Sequence, residues 1–272
     1  EYTGKWFDET FAKDKKNSEL KAERLWDQNK ADAIRVKCQG KPGSVNEESK
    51  PARETCPLLY DLTSLQRDAN GRFGFSAKVT LGLAQALYEK HKVLTYPRTD
   101  SRALPEDYIA TVKDTLNTLE GTSYGEFAKQ ILKADWVKPN KRVFNNSKIS
   151  DHFAIIPTAL APKKLNEAEA KLYDLVMKRF LAIFFPAAEL LVTTRITRVE
   201  NEPFKTEGRV MVNPGWQVVY GKTIQQKPDS DDTLIAIRPG QPVTTEAIEV
   251  IANQTRPPAR FTEATLLSAM EG

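Results

Sequence analysis

A tyrosine and an arginine stand two residues apart, across a proline, in the run Lys92-Val93-Leu94-Thr95-Tyr96-Pro97-Arg98-Thr99-Asp100-Ser101-Arg102. Proline fixes its own φ and biases the preceding residue toward an extended backbone. If the run stays extended, Tyr96 and Arg98 point to the same side. A phenol oxygen beside a guanidinium suits attack on a phosphodiester: the phenol is the nucleophile, and the cation meets the charge that builds on the phosphate oxygens. Free tyrosine titrates at about 10, so attack at neutral pH needs proton removal or local positive charge. Arginine is always cationic and presents a rigid fork of donors to phosphate. The same three residues also fit a half-buried tyrosine and a solvated arginine in an ordinary loop, so the flanking elements have to decide.

Those elements are mainly helical. Thr63-Ser64-Leu65-Gln66 has capping-box spacing and predicts a short helix that ends at Asn70-Gly71. Ser76 can cap the next, where Val79, Leu83 and Leu87 recur at i+4. Two helices across Gly71-Arg72-Phe73-Gly74 suggest a helix-turn-helix. Beyond the Tyr96 run, Pro105-Glu106-Asp107 opens a further helix, with Ile109, Val112, Leu116 and Leu119 on its apolar face. A shorter helix is expected around Phe127, Ile131 and Leu132, and a long one from Asn166 to Phe185, stopped by Pro186.

The character then changes. Leu190 to Val199 and Phe204 to Val212 are β-rich and partly alternating, and Val243 to Ile251 reads as one more strand. Ahead of the helical block, Glu19 to Lys37 shows an imperfect helical pattern, and Val45 to Pro51 reads as an exposed strand or loop. The expected fold class is α+β. A β-rich domain (residues 1–57 and 187–254) is interrupted by a mostly helical domain (58–186) that carries Tyr96, and residues 255–272 begin a further segment.

Composition is permissive. With 272 residues, 40% hydrophobic and 28% charged, the chain has length for one large or two ordinary domains. No apolar run approaches the ~20 residues that span a bilayer, so no membrane partner is expected. Cys38 and Cys56 lack CxxC spacing and fit a reducing cytoplasm better than a disulfide scaffold or a zinc site. A net charge of +4 permits a polyanionic partner without establishing one. The chain opens on Glu1 and closes on Gly272 inside a helical pattern, so it is expected to be a piece of a longer polypeptide.

Four patches carry a resemblance. They are Tyr60-Asp61-Leu62-Thr63-Ser64-Leu65-Gln66 with Phe75-Ser76-Ala77; Leu94 to Ser101, continued by Leu104-Pro105-Glu106; Ile149-Ser150-Asp151-His152-Phe153-Ala154-Ile155-Ile156-Pro157-Thr158; and Pro257-Pro258-Ala259-Arg260-Phe261-Thr262-Glu263-Ala264-Thr265-Leu266. In order and spacing they resemble the type IA DNA topoisomerases, in particular the bacterial topoisomerase III branch. The resemblance implies that this chain is the central arch, without the metal-binding Toprim domain. The β-rich domain would form the hinge, the helical domain would carry the nucleophile, and residues 255–272 would begin the return to a single-strand-binding base.

The implied reaction breaks one DNA strand through a 5′-phosphotyrosine link and reseals it without ATP, relaxing or decatenating DNA by strand passage. Tyr96 matches the nucleophile, and Arg98 and His152 match residues at the cleaved phosphate. Arg102, Arg260 and Thr262 match DNA-contacting positions, although Thr262 also reads as a plain helix cap. Mg²⁺ is implied for the absent Toprim domain, with no metal expected in this chain. The expected partners are single-stranded DNA and the remaining domains of the same polypeptide. A monomer in the cytoplasm, associated with the nucleoid, is expected, and the fragment alone should be inactive.

Asp151 could orient His152, whereas His91 has no motif around it and reads as a helix end. Asp229, Asp231 and Asp232 read as a solvated acidic turn rather than metal ligands, and Lys92, Arg72 and Lys78 as surface charge able to track a DNA backbone. The competing readings are a helix-turn-helix DNA binder without covalent chemistry, and a scaffold with no nucleic-acid role.

Overall fold

The computed structural model describes residues 1–13, 17, 19–222, 234, 237 and 241–271. Asp229, Asp231 and Asp232 lie outside the described residues. The chain divides into two units: residues 1–53, 189–213 and 224–258 form one, and residues 54–188, 214–223 and 259–272 the other.

The first unit is an antiparallel sheet with one helix. Its strands are β1 (Lys5–Trp6), β2 (Pro42–Glu54), β3 (Ala188–Val199), β4 (Glu202–Asn213) and β5 (Val243–Thr244), in the order β1-β4-β3-β2-β5. Glu200 and Asn201 both take positive φ, 50° and 66°, as a two-residue hairpin turn requires. That turn sets the β3–β4 register, with Val199 opposite Glu202 and Thr197 opposite Phe204. Helix α1 (Gln28–Cys38) is capped by Asp27, whose side chain accepts from the Asn29 and Lys30 amides. Its Ile34 and Cys38 pack on Val199, with Trp6, Leu25, Phe204 and Ile248 around them.

The strand expected over Val243 to Ile251 is only two residues long, and the rest is irregular. The segment meets a turn rather than a strand. Thr245 exchanges backbone hydrogen bonds with Gly40 and Lys41. The Gln39 carboxamide then donates to Glu246 O and accepts from Ile248 N, taking the place a neighbouring strand would occupy.

The second unit holds α2 (Leu62–Phe73), α3 (Ala77–Glu89), α4 (Ile109–Asn117), α5 (Gly125–Lys133), α6 (Glu167–Ala182) and α7 (Glu263–Glu271). Helix α6 is the centre of the core. Leu172, Leu175, Val176, Met177, Phe180 and Leu181 are all 2% exposed or less, and each such burial contributes ~1.5–3 kcal/mol. Asn166 and Glu169 cap it reciprocally. The chain re-enters this unit at Gly215 (φ +49°), where a Cβ would lie 2.5 Å from the Pro186 and Ala187 carbonyl oxygens, so only glycine fits.

Three local expectations change. The capping box that opens α2 is Asp61 with Ser64, not Thr63 with Gln66; Gln66 instead reaches the Ala77 carbonyl. Helix α2 runs through Gly71 to Phe73, because Gly74 is the residue in the left-handed conformation that ends it. Pro105 to Tyr108 form a turn before regular helix begins at Ile109.

Candidate active site

Three of the four sequence patches meet around Tyr96. The Tyr96 run is extended and lies along the segment that carries His152. Thr95 N donates to Ile156 O at 3.0 Å, Thr158 N to Val93 O at 3.0 Å, and Ala154 N to Ala103 O at 3.0 Å. The first patch closes the other side: Ile155 N donates to Tyr60 O at 2.8 Å, and Leu62 N to Thr99 O at 3.0 Å.

Threonine and serine side chains supply the remaining bonds, which explains why the run is rich in them. Thr95 Oγ1 donates to Ala154 O and accepts from Ile156 N. Thr99 Oγ1 donates to His152 O at 2.8 Å, Thr158 Oγ1 to Lys92 O at 2.7 Å, and Ser101 Oγ to Lys148 O at 2.8 Å. Each bond contributes ~1 kcal/mol net. Together they hold the segment without giving it a helix.

The alternation expected of extended backbone is present. Pro97 and Thr99 are buried, Arg98 and Asp100 exposed, and Tyr96 half-buried. The Tyr96 ring lies 4.4 Å from the His152 ring, centroid to centroid, tilted at 50°. On its other side Tyr88 meets it edge-on at 5.4 Å, and Lys92 Nζ stands 5.9 Å from the Tyr88 ring. Among the described residues the Tyr96 hydroxyl has no hydrogen-bond partner, and Arg98 makes neither a hydrogen bond nor an ion pair. An unpaired phenol and an unpaired guanidinium therefore lie in one extended run, with an imidazole ring against the phenol.

The other candidates are placed differently. Asp151 is exposed and no hydrogen bond ties it to the His152 ring. Arg102 Nε donates to Asp61 Oδ2 at 2.6 Å, and its Nη2 reaches Glu271 Oε1 at 3.3 Å. Arg260 is exposed without a partner among the described residues. Thr262 caps α7: its Oγ1 accepts from Thr265 N, while Thr265 Oγ1 accepts from Thr262 N. Among the described residues no hydrogen bond, ion pair or ring contact joins Arg260 or Thr262 to Tyr96. His91 packs at the end of α3, 3.3 Å from Glu169. The Asn166 amide, and secondarily His91, hold the Glu169 carboxyl below the usual carboxylate range, against the opposing pull of burial.

Two features escaped the sequence reading. Tyr88 sits on the last turn of α3, and no spacing rule points it at Tyr96. The second is a buried cluster beneath the first patch. Arg179 donates to Leu58 O, the Tyr60 hydroxyl and Asp68 Oδ2 at 2.7–2.9 Å, and its guanidinium lies 4.1 Å over the Tyr60 ring. Tyr60 in turn donates to the Asp68 carboxylate. Burial pushes the Tyr60 phenol well above its ordinary range, despite the opposing pull of Arg179.

Comparison with known proteins places the chain. Residues 5–272 match the family model described as DNA topoisomerase. DNA topoisomerase 3 of Bacillus subtilis is 44% identical over 264 residues, 95% of this chain and 36% of that protein. DNA topoisomerase 3 of Bacillus cereus is 43% identical over 255 residues, 91% of this chain and 35% of that protein. The chain thus spans about a third of the length of the curated relatives it matches. Full-length topoisomerase I from Thermotoga maritima superposes with a TM-score of 0.66 at 22% identity, over 93% of this chain and 41% of that one, which shows a shared fold. The chain belongs to the type IA DNA topoisomerase family, with similarity to the topoisomerase 3 proteins across nearly all of its length.

Proposed function

We propose that the chain is the arch portion of a topoisomerase III-like enzyme and that Tyr96 is its nucleophile. The observation that carries the reading is the open Tyr96 hydroxyl, with the His152 ring at 4.4 Å and the unpaired Arg98 two residues on. In the proposed step the Tyr96 oxygen attacks the phosphorus of a single strand. The bond from phosphorus to the 3′ oxygen breaks, and the 3′ hydroxyl leaves with a proton. Arg98 binds the equatorial oxygens, where charge accumulates, and His152 contacts the same phosphate and relays the proton. The phosphotyrosine link keeps the phosphodiester energy, so the reverse attack reseals the strand.

The domain roles follow the same reading. The sheet unit forms the hinge of the arch, and the helical unit presents Tyr96 to a strand held in part by Arg102, Arg260 and Thr262. The working protein is a monomer in the cytoplasm, at the nucleoid, completed by the remaining domains of its own polypeptide. Among the described residues no three His, Cys, Asp or Glu side chains come together as a metal site. The Mg²⁺ that the family implies does not fit these residues, and no step here runs through it. Nor is any helix among them long and apolar enough to cross a membrane.

The test is a covalent adduct. The chain is supplied with the acidic domain of a relative, Mg²⁺ and a single-stranded oligonucleotide labelled at its 3′ end. Attack in the stated direction leaves the label on the protein and releases the 5′ piece with a free 3′ hydroxyl. Tyr96→Phe must remove the adduct; a phenylalanine variant that still carries the label overturns the assignment, and the chain alone should form none. The α2–α3 pair, with Gly74 at its turn, keeps a second reading in play, that of a helix-turn-helix binder. That reading predicts base-dependent affinity for duplex DNA at matched salt, whereas the enzyme reading predicts preference for the single strand.

A further inference from the structure

The helical unit has one place where a carboxylate occupies the position of an anion between two arginines. Glu271, at the end of α7, sends Oε2 to Arg67 Nη1 at 3.4 Å and Oε1 to Arg102 Nη2 at 3.3 Å. Both arginines line a cleft of about 480 Å³ between α2 and α7, together with Ser64, Arg179, Thr265 and Ser268. That volume suits a nucleotide-sized group. Of its wall, Arg179 is taken up by Leu58 O, Tyr60 and Asp68, which also lines the cleft, and Ser64, Thr265 and Ser268 are bonded locally. Arg67 and Arg102 are therefore the cations that face it, with only Glu271 between them.

Helix α7 lies on α2 through half-buried Ala264, Leu267 and Ser268, and polar contacts tie down both its ends. No residue of α7 is buried. At its other end the Glu263 carboxylate accepts from Ala77 N, the first amide of α3, at 2.6 Å, and Asn70 Oδ1 accepts from Ala264 N at 3.3 Å. The two arginines differ in what else they hold. Arg102 also pairs with Asp61 at 2.6 Å, whereas Glu271 is the one ion-pair partner of Arg67 among the described residues. Both Glu271 contacts are long for a guanidinium–carboxylate pair, and the side chains involved remain 35–40% exposed. Exposed pairs of this kind hold weakly and are screened by salt. A phosphodiester oxygen has the same charge and the same affinity for a planar donor fork as the carboxylate it would replace.

We propose that Arg67 and Arg102 form a backbone-phosphate site for a single DNA strand, and that Glu271 occupies it competitively, so that α7 and the strand exclude one another there. The proposal rests on the reading of the chain as a DNA-binding arch, and it adds Arg67, the cleft and the competing carboxylate. DNA binding at this site lifts the C-terminal end of α7 from α2; conversely, seated α7 lowers affinity for the strand.

The experiment is a salt titration of binding to a fluorescent single-stranded oligonucleotide by the whole chain. Glu271→Gln should tighten binding roughly threefold to tenfold at low salt. It should also steepen the dependence of log affinity on log salt, by about 0.7 for each further phosphate that the arginines neutralise. Arg67→Ala should weaken binding and flatten that slope, and adding it to Glu271→Gln should cancel the improvement; circular dichroism checks that each variant keeps its helices. Inorganic phosphate at constant ionic strength is the second arm, and should displace the oligonucleotide from the wild type more effectively than chloride does. If Glu271→Gln leaves affinity and slope unchanged while the wild type binds the oligonucleotide, the inference falls and the DNA-binding reading stands. If phosphate competes but Glu271→Gln has no effect on the oligonucleotide, the cleft is a free-anion site and the proposal is wrong. If no variant binds the single strand at low salt, both fall together.

Discussion

The helical unit contains two tyrosine–arginine neighbourhoods whose environments are opposite. Around Tyr60 every polar group is used: Arg179 spends its donors on Leu58 O, the phenol and Asp68, and the phenol donates to Asp68. Around Tyr96 the backbone is equally well tied, but the phenol and the Arg98 guanidinium are left without partners among the described residues. Tyr60 is 1% exposed, and burial holds it protonated. Tyr96 is half-buried, flanked by Tyr88 and His152. Residue type therefore does not distinguish structure from chemistry here. Satisfaction does: the Tyr60 pair is saturated within the fold, and the Tyr96 pair is not, which is the contrast the proposed chemistry relies on.

The largest expected effect separates the two tyrosines. Tyr96→Phe should abolish the covalent adduct while shifting unfolding stability by less than about 0.5 kcal/mol, since the ring packing stays and no hydroxyl bond is lost. Arg179→Ala should do the reverse. It removes the donor to the Leu58 carbonyl and the buried Tyr60 hydroxyl, and the cation beside Asp68, whose side chain is 34% exposed. The loss should cost about 1–3 kcal/mol in urea denaturation. If Arg179→Ala unfolds no more easily than the wild type, the cluster is not the structural member of the comparison.

Arg98→Lys probes the open pair more finely. The charge survives but the planar two-donor fork does not, so cleavage should slow roughly 10- to 100-fold, about 1.4–2.7 kcal/mol at the transition state. Unfolding stability should hardly move, because Arg98 is exposed and unpaired among the described residues. Equal single-turnover cleavage rates for the wild type and Arg98→Lys would mean that only a point charge is needed there.

How much of this was legible in the chain follows from the kind of interaction involved. Helices α3 and α6 were readable because Val79, Leu83 and Leu87, and Leu172, Leu175 and Val176, repeat at helical spacing, and Ser76 and Asn166 cap locally. The extended Tyr96 run followed from Pro97, whereas no local rule places Tyr96 and His152, so far apart in sequence, 4.4 Å apart ring to ring. The rest depended on partners distant in sequence. Asp61 rather than Thr63 caps α2, while its other oxygen is held by Arg102, 41 residues on. The short β5 is explained by one side chain, Gln39, that no strand pattern could reveal. Arg179 sits on α6 as one more charged residue until the fold brings Tyr60 and Asp68 under it.

The smallest effect tests whether the frame that leads into the Tyr96 run is itself saturated. His91 follows α3 one residue before Lys92, whose φ of 62° starts the run, and it lies 3.3 Å from Glu169 at the cap of α6. Glu169 is lowered from its ordinary 4.5, first by the Asn166 amide and then, beyond the opposing effect of burial, by His91. A depressed folded-state value means the group contributes stability above its unfolded value, and that contribution is lost as pH falls through the folded one. The wild type should therefore lose stability as pH drops below about 4.5. Glu169→Gln, which keeps the cap geometry but not the charge, should be weaker by about 1 kcal/mol at pH 7 and should show a shallower loss below it. Parallel acid limbs for the two proteins in denaturant titrations would show that the Glu169 charge, held at the Asn166 amide and beside His91, adds nothing. The entry to the Tyr96 run would then be held by its backbone bonds and the Thr158 hydroxyl alone.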